Sequence, residues 1–98
     1  MNPAMTPESS ARHPHGFTEK QGHYLAFIYV YSRMFRQAPA EADMQRHFGV
    51  TPPSVHQMVL GLERTGLLRR QPGVARSIEI LVPPQKLPIL EWLQINPS

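Results

Sequence analysis

Cysteine is absent from this sequence of 98 residues. Its absence excludes a disulfide framework, a thiolate metal site and a cysteine nucleophile, so a hydrophobic core alone must hold the fold together. No stretch approaches 18 apolar residues, which argues against a membrane span and a membrane partner. The N-terminus lacks the apolar region of a signal peptide, and we expect a cytoplasmic protein.

Proline is scarce in the centre of the chain and frequent at both ends. Of eleven prolines, four lie between Phe17 and Val82. This distribution predicts a disordered N-terminal arm over residues 1–16, a folded domain over residues 17–84 and a C-terminal tail over residues 85–98. The tail contains a short amphipathic segment with the only tryptophan, Trp92. We expect it either to pack on the domain as a short helix, covering Tyr29 and Val30, or to mediate dimerisation.

Acidic residues are missing around a cluster of arginines. The ten basic residues comprise eight arginines and two lysines, against seven acidic residues. Four of the arginines fall within residues 64–76, and no acidic residue lies between Arg64 and Ile78. Because the planar guanidinium donates to phosphates and base edges, this local cluster predicts a basic patch directed at a polyanion.

The first helix is predicted over residues 19–36. Thr18 and Gln21 have the spacing of a capping box. Apolar side chains then recur with helical spacing, at Tyr24, Ile28, Tyr31 and Phe35. The run is rich in aromatic and β-branched residues and would also suit a strand, but the cap and the sustained period favour a helix.

Two further helices are predicted over residues 41–48 and 52–65, joined by a tight turn. Gly49 suits the left-handed conformation after the second helix, and Thr51 suits the N-cap of the third. Gly66 ends the third helix in the same way as Gly49. The inward faces carry apolar side chains, namely Met44, Phe48, Val55, Met58, Val59 and Leu62. Such a pair of helices is a helix-turn-helix.

A β-hairpin is predicted after the third helix. Residues 77–82 alternate between apolar and polar, and Pro72-Gly73 is a turn signal. Arginines flank the turn on both sides. The expected fold is therefore mainly α with a small β-hairpin: a winged helix-turn-helix, consisting of a three-helix bundle plus wing.

Several motifs resemble the N-terminal DNA-binding domain of LexA-type repressors. They are Phe17-Thr18 with Gln21, the segments 44–50 and 62–68, and Ala75 to Ile78 followed by Leu81 to Pro83. Residues 49–63 also resemble MarR-type and iron-dependent-repressor winged helices. The resemblance implies a transcriptional regulator that binds specific sequences of double-stranded DNA. LexA-type repressors also carry a peptidase domain with a Ser-Lys dyad. The two lysines here, Lys20 and Lys86, have no such context, so we expect no self-cleavage. Metal-dependent repressors add a dimerisation domain that carries the metal ligands, and no such ligand set is found in this sequence, so we expect no metal sensing.

This function assigns roles to residues of the third helix and the wing. Ser54, His56 and Gln57 are candidates for reading base edges in the major groove, beside Pro53 on the same outward face. Thr51, with backbone N–H groups at the helix start, would hold a phosphate. The predicted contacts with the phosphate backbone or the minor groove are Arg64, Arg69, Arg70 and Arg76. Four phosphates neutralised by arginine would give a log–log salt slope of about −3.6.

The sequence supports two other functional classes less well. A winged helix can serve as a protein-interaction or dimerisation module without DNA specificity, and a homodimer would suit a two-fold operator. An enzyme is the class least supported, because the acidic residues are scattered and no glycine-rich phosphate loop is present. The five histidines lack metal-ligand spacing. We expect no cofactor, no metal and no small-molecule ligand.

Overall fold

Within residues 16–87 of a computed structural model, three α-helices are followed by a small antiparallel hairpin. The structure describes residues 16–87, so most of the predicted arm and the tail beyond Leu87 lie outside the described residues. The elements are α1 (Glu19–Phe35), α2 (Glu41–Phe48), α3 (Pro52–Arg64), β1 (Leu68–Arg69) and β2 (Glu79–Ile80), followed by a 3-10 turn over Pro84–Lys86.

The predicted capping box starts α1. The Gln21 N–H donates to Thr18 Oγ1 at 3.0 Å, and the Thr18 N–H donates to Gln21 Oε1 at 2.9 Å. The helix interpretation of this aromatic run is confirmed, with the end one residue earlier than predicted, at Phe35. The buried residues of α1 all lie in its first ten positions. Placing Phe35 on the core face was wrong: it is 55% exposed because the second half of α1 runs past the core.

The helix-turn-helix is confirmed at each of its local signals. Gly49 takes φ 66°, and its N–H donates to the Gln45 carbonyl at 2.8 Å. Thr51 is the N-cap of α3, and its Oγ1 accepts the Ser54 N–H at 3.3 Å. At the other end α3 stops at Arg64, one residue earlier than predicted, before Gly66 at φ 79°.

The hairpin has shorter strands than predicted. Leu68 pairs with Ile80, and Arg69 pairs with Glu79, so the ladder is two residues long on each side. The predicted strand over residues 77–82 was too long at both ends, because β2 covers only Glu79–Ile80. Before β2, the Ser77 Oγ accepts the Gln71 N–H at 2.9 Å, so a side-chain contact joins the two arms of the hairpin at this point. We call residues 68–80 the wing.

One hydrophobic core joins the three helices to the wing. The prediction for α3 is confirmed at Val55, Val59 and Leu62, which are fully buried, whereas Met58 is partly buried. Strand β2 and the residues before it lie beside Tyr29 of α1. Leu87, after the 3-10 turn, is also buried. The core comprises Phe17, Tyr24, Leu25, Ile28, Met44, Val55, Val59, Leu62, Leu68, Val82 and Leu87.

Candidate nucleic-acid interface

The start of α3 presents its polar side chains to solvent. Pro53, Ser54, His56 and Gln57 are all exposed, because the core takes the opposite face of the helix. Further along the same face, Gly61 lines a shallow depression with Pro53, Ser54 and Gln57, and the opening turn of α1 forms the other side. The structure therefore brings the predicted base-reading residues together on one accessible surface.

The first turn of α3 has few N–H groups to offer to a ligand. Prolines occupy its first two positions and carry no N–H. The Ser54 N–H is bonded to Thr51 Oγ1, and the Val55 N–H donates to the Thr51 carbonyl. The hydroxyls of Thr51 and Ser54 are exposed and lie 2.9 Å apart. Any phosphate held here would meet hydroxyl groups rather than backbone donors.

His56 is held by a carboxylate from the preceding helix. Its Nδ1 lies 3.2 Å and 3.3 Å from the two carboxylate oxygens of Glu41, in the first turn of α2. About half of the His56 side chain is exposed. Sequence reasoning missed Glu41, because it lies 15 residues away and no local pattern links the two. The contact orients the imidazole without burying it.

The wing arginines have carboxylate partners that the local sequence does not reveal. Arg69 Nε donates to Glu79 Oε1 at 2.9 Å across the hairpin. Arg70 Nε donates to Glu63 Oε1, at the end of α3, at 3.2 Å. The stretch without acidic residues in the sequence therefore has carboxylates beside it in the folded structure. Arg69 is nevertheless 67% exposed, whereas Arg70 is 19% exposed. Each guanidinium has five donors, so further N–H groups remain for a ligand.

Arg64 and Arg76 have contrasting surroundings. Arg64 is exposed at the end of α3. Arg76 instead turns toward the helices, where its NH1 lies 3.1 Å from the Tyr31 hydroxyl, 3.2 Å from the Ala38 carbonyl and 3.2 Å from Asp43 Oδ2. The predicted contact of Arg76 with DNA would compete with these three contacts.

A cleft of 370 Å³ separates the wing from the helices. Glu41 and His56 line one side, and Arg70 and residues 73–78 line the other. Within residues 16–87, no cluster of His, Asp and Glu is placed to hold a metal ion. In the same residues, no helix has the length and apolar character to cross a membrane.

Among the acidic residues that the structure describes, Asp43 has the clearest electrostatic perturbation. The hydrogen bond from the Ala40 N–H, at 2.8 Å, lowers the pKa of this carboxyl below its ordinary value. Arg76, Arg46 and the Tyr31 hydroxyl lower the pKa further, and burial opposes them. Asp43 therefore remains a carboxylate that both caps α2 and binds the wing.

The lowered pKa of Asp43 predicts a contribution to acid stability. A depressed folded-state pKa stabilises the fold above about pH 4, the ordinary carboxyl pKa, and this stability is lost as the pH falls through the folded-state value. Asp43→Asn should therefore lower the melting temperature near neutral pH. On acidification, the melting temperature of this variant should fall less than that of the wild type. Thermal unfolding measured across this range by circular dichroism tests it. If the melting temperatures of the two proteins fell equally as the pH decreased, the result would contradict this prediction.

The cap of α3 gives a second prediction. Thr51→Ala removes the acceptor of the Ser54 N–H and should lower the free energy of unfolding by about 1 kcal/mol. Thr51→Ser keeps the hydroxyl and should stay close to the wild type. Urea unfolding of the three proteins measures both effects. An alanine variant as stable as the serine variant would exclude the cap as a source of stability.

Two consecutive helices joined by a tight turn, with the start of the second exposed beside an antiparallel hairpin, define a winged helix-turn-helix domain. The family model of the IclR helix-turn-helix domain matches residues 33–72. The LexA repressor of Thermosipho melanesiensis is 38% identical over 64 residues, which are 65% of this chain and 32% of the relative.

Two further LexA repressors show similar matches. That of Thermosipho africanus is 35% identical over 72 residues, 74% of this chain and 36% of the relative. That of Verrucomicrobium spinosum is 39% identical over 62 residues, 62% of this chain and 31% of the relative. The chain thus spans about a third of the length of the curated relatives it matches. The predicted resemblance to LexA-type repressors is confirmed.

Proposed function

We propose that this domain binds double-stranded DNA as part of a transcriptional regulator, with the start of α3 in the major groove. The observation that carries the proposal is the exposed polar start of α3 beside the arginine-bearing wing. The similarity to proteins named as repressors supports it. A regulator of this kind would act in the bacterial cytoplasm and would need no catalytic chemistry.

Base recognition is assigned to three side chains on the outward face of α3. Gln57 is exposed, and its amide has the donor and acceptor needed to bind adenine N6 and N7 together. Ser54 lies one turn earlier on the same face and suits either kind of base edge. His56 is held beside a carboxylate, which repels phosphate, so we assign it to a base edge rather than to the backbone. Pro53 supplies apolar contact at the groove wall.

Backbone contacts are assigned to side chains around this face. The Thr51 hydroxyl would donate to a phosphate at the start of α3, and Arg64 would meet the backbone at its end. Arg69 extends from the wing with most of its side chain exposed, and Arg70 lines the cleft between wing and α3. Arg76 is held by Tyr31, Ala38 and Asp43, so we count the other three arginines as backbone contacts. One phosphate neutralised by each of them gives a log–log salt slope of about −2.7.

A second candidate function is a docking module for another copy of this chain. Met34 and Phe35, neighbours at the end of α1, are 66% and 55% exposed, and adjacent exposed apolar side chains of this kind are a candidate contact surface. A homodimer formed there is compatible with DNA binding to a two-fold site. If docking were the sole function, the surface of α3 would have no effect on affinity for any duplex.

Selection of bound duplexes from a random DNA pool tests the DNA-binding proposal. We expect the wild type to enrich a consensus sequence, and a palindrome would indicate a dimer. Gln57→Ala should lose the preference at one base position, at a cost of about 1–3 kcal/mol for that base. Gln37 is an exposed glutamine in the α1–α2 loop, and Gln37→Ala serves as the matched control. This variant should select the same consensus as the wild type. Failure of the wild type to enrich any sequence would contradict the proposed specificity.

A further inference from the structure

Arg76 has a backbone conformation that an L-residue rarely adopts. Its φ is 56°, in the left-handed region, and among the described residues Arg36 is the only other non-glycine residue with positive φ. Arg36 is the C-cap of α1, a common place for this conformation. Arg76 lies in a turn of the wing loop, away from any helix end. A conformation of this kind persists where the surrounding contacts hold it.

The side chain of Arg76 makes those contacts with the helical body. Its three acceptors come from three different segments: Tyr31 on α1, Ala38 in the α1–α2 loop and Asp43 on α2. Asp43 is itself fixed by the Ala40 N–H at 2.8 Å. The guanidinium therefore joins the wing to the corner where α1 meets α2, across 33 to 45 residues of sequence.

The loop of the wing has few other attachments. Residues 71–76 are exposed, and the ladder that precedes them is only two residues long. Within the loop, the Val74 N–H donates to the Gln71 carbonyl at 3.0 Å, and Ser77 bonds to Gln71. These contacts close the loop on itself without joining it to a helix. In residues 71–77, Arg76 is the side chain that hydrogen-bonds to the helical body.

We infer that Arg76 is a positioning residue, which fixes the wing relative to α3 through Asp43 and Tyr31 instead of contacting DNA. The inference rests on the proposed DNA-binding function. A fixed loop keeps the tip of the wing at a set distance from α3, and the protein then loses less conformational freedom on binding. Because three acceptors hold the guanidinium against the helical body, we expect Arg76 to add no phosphate contact to the salt slope.

Three variants separate this role from a phosphate contact. Arg76→Lys keeps the charge but loses the planar set of donors, and should bind the selected duplex about threefold to tenfold more weakly. Tyr31→Phe removes one acceptor without a change of charge and should act in the same direction. Asp43→Asn removes a negative charge, which by electrostatics alone would strengthen binding to DNA. We expect it to weaken binding, with the salt slope of all three variants unchanged.

The backbone rigidity of the wing can be measured without DNA. We expect the ¹⁵N order parameters of residues 71–77 to fall in Arg76→Lys and Tyr31→Phe relative to the wild type, with circular dichroism showing both proteins folded. Arg46→Lys is the matched control, because Arg46 also pairs with Asp43 but lies exposed on α2. It should leave the wing as ordered as in the wild type.

The outcomes distinguish this inference from the proposed function. If the wild type binds no duplex, the DNA-binding proposal fails, and the order parameters still decide whether Arg76 fixes the wing. Unchanged order parameters in both variants would overturn the inference. It would also be overturned if Tyr31→Phe bound DNA as the wild type does while Arg76→Ala lowered the salt slope by about 0.9, the value for one lost phosphate contact.

Discussion

Replacing Arg69 and Arg70 together with alanine is expected to reduce the magnitude of the salt slope of duplex binding by about 1.8, from about 2.7 to about 0.9. Each lost guanidinium removes one phosphate contact and the counterion release that goes with it. The change also leaves Glu79 and Glu63 without their arginine partners near the DNA. Affinity should therefore fall for all duplexes alike, whatever their sequence.

A charge-matched variant controls for the loss of net charge. Arg33→Ala with Arg36→Ala removes the same two charges from the end of α1, where both side chains are exposed and lie outside α3 and the wing. We expect this pair to leave the slope close to the wild-type value. Equal slopes for the two double variants would show that diffuse charge, not the wing, attracts the DNA.

Leu62→Ala is expected to lower the free energy of unfolding by about 2–5 kcal/mol. Leu62 is fully buried in α3 and belongs to the core shared with α1 and the wing. Truncation removes transfer free energy and leaves a cavity that the close-packed neighbours fill only in part. Small domains have a total stability of about 5–15 kcal/mol, so this loss is a large fraction of it.

Leu60→Ala, on the outward side of the same helix, is the control for this prediction. Leu60 is only half-buried, and we expect a smaller loss than for Leu62. Urea unfolding followed by circular dichroism gives both values from the same experiment. Equal losses would mean that α3 does not bury one face in the core, contrary to the structure.

The helices could be predicted closely because their ends depend on local chemistry. The Thr18–Gln21 capping box, Gly49 and Thr51 each act within a few residues of chain, and each is confirmed by the hydrogen bonds it makes. The fully buried face of α3 followed from spacing alone. The outer half of α1 was harder, because helical period does not reveal where the core ends, and Phe35 is exposed.

The electrostatics of the candidate site depend on contacts between segments that are distant in sequence. Glu41 reaches His56 and Asp43 reaches Arg76 only after the helices have packed. No spacing rule predicts such pairs from one sequence. The strand partner of Arg69 required the exact register of the hairpin, which the short ladder determines. The outward positions of Ser54, His56 and Gln57 could be predicted from helical spacing, whereas the partners of His56 and of the wing arginines could not.

The salt dependence of binding by the wild type tests the DNA-binding proposal most directly. The duplex enriched from the random pool is titrated with the protein at a series of salt concentrations, and log K is plotted against log salt. The proposed contacts of Arg64, Arg69 and Arg70 predict a straight line with a slope of about −2.7. A slope near zero would contradict the proposed function. So would the absence of binding to any duplex at every salt concentration.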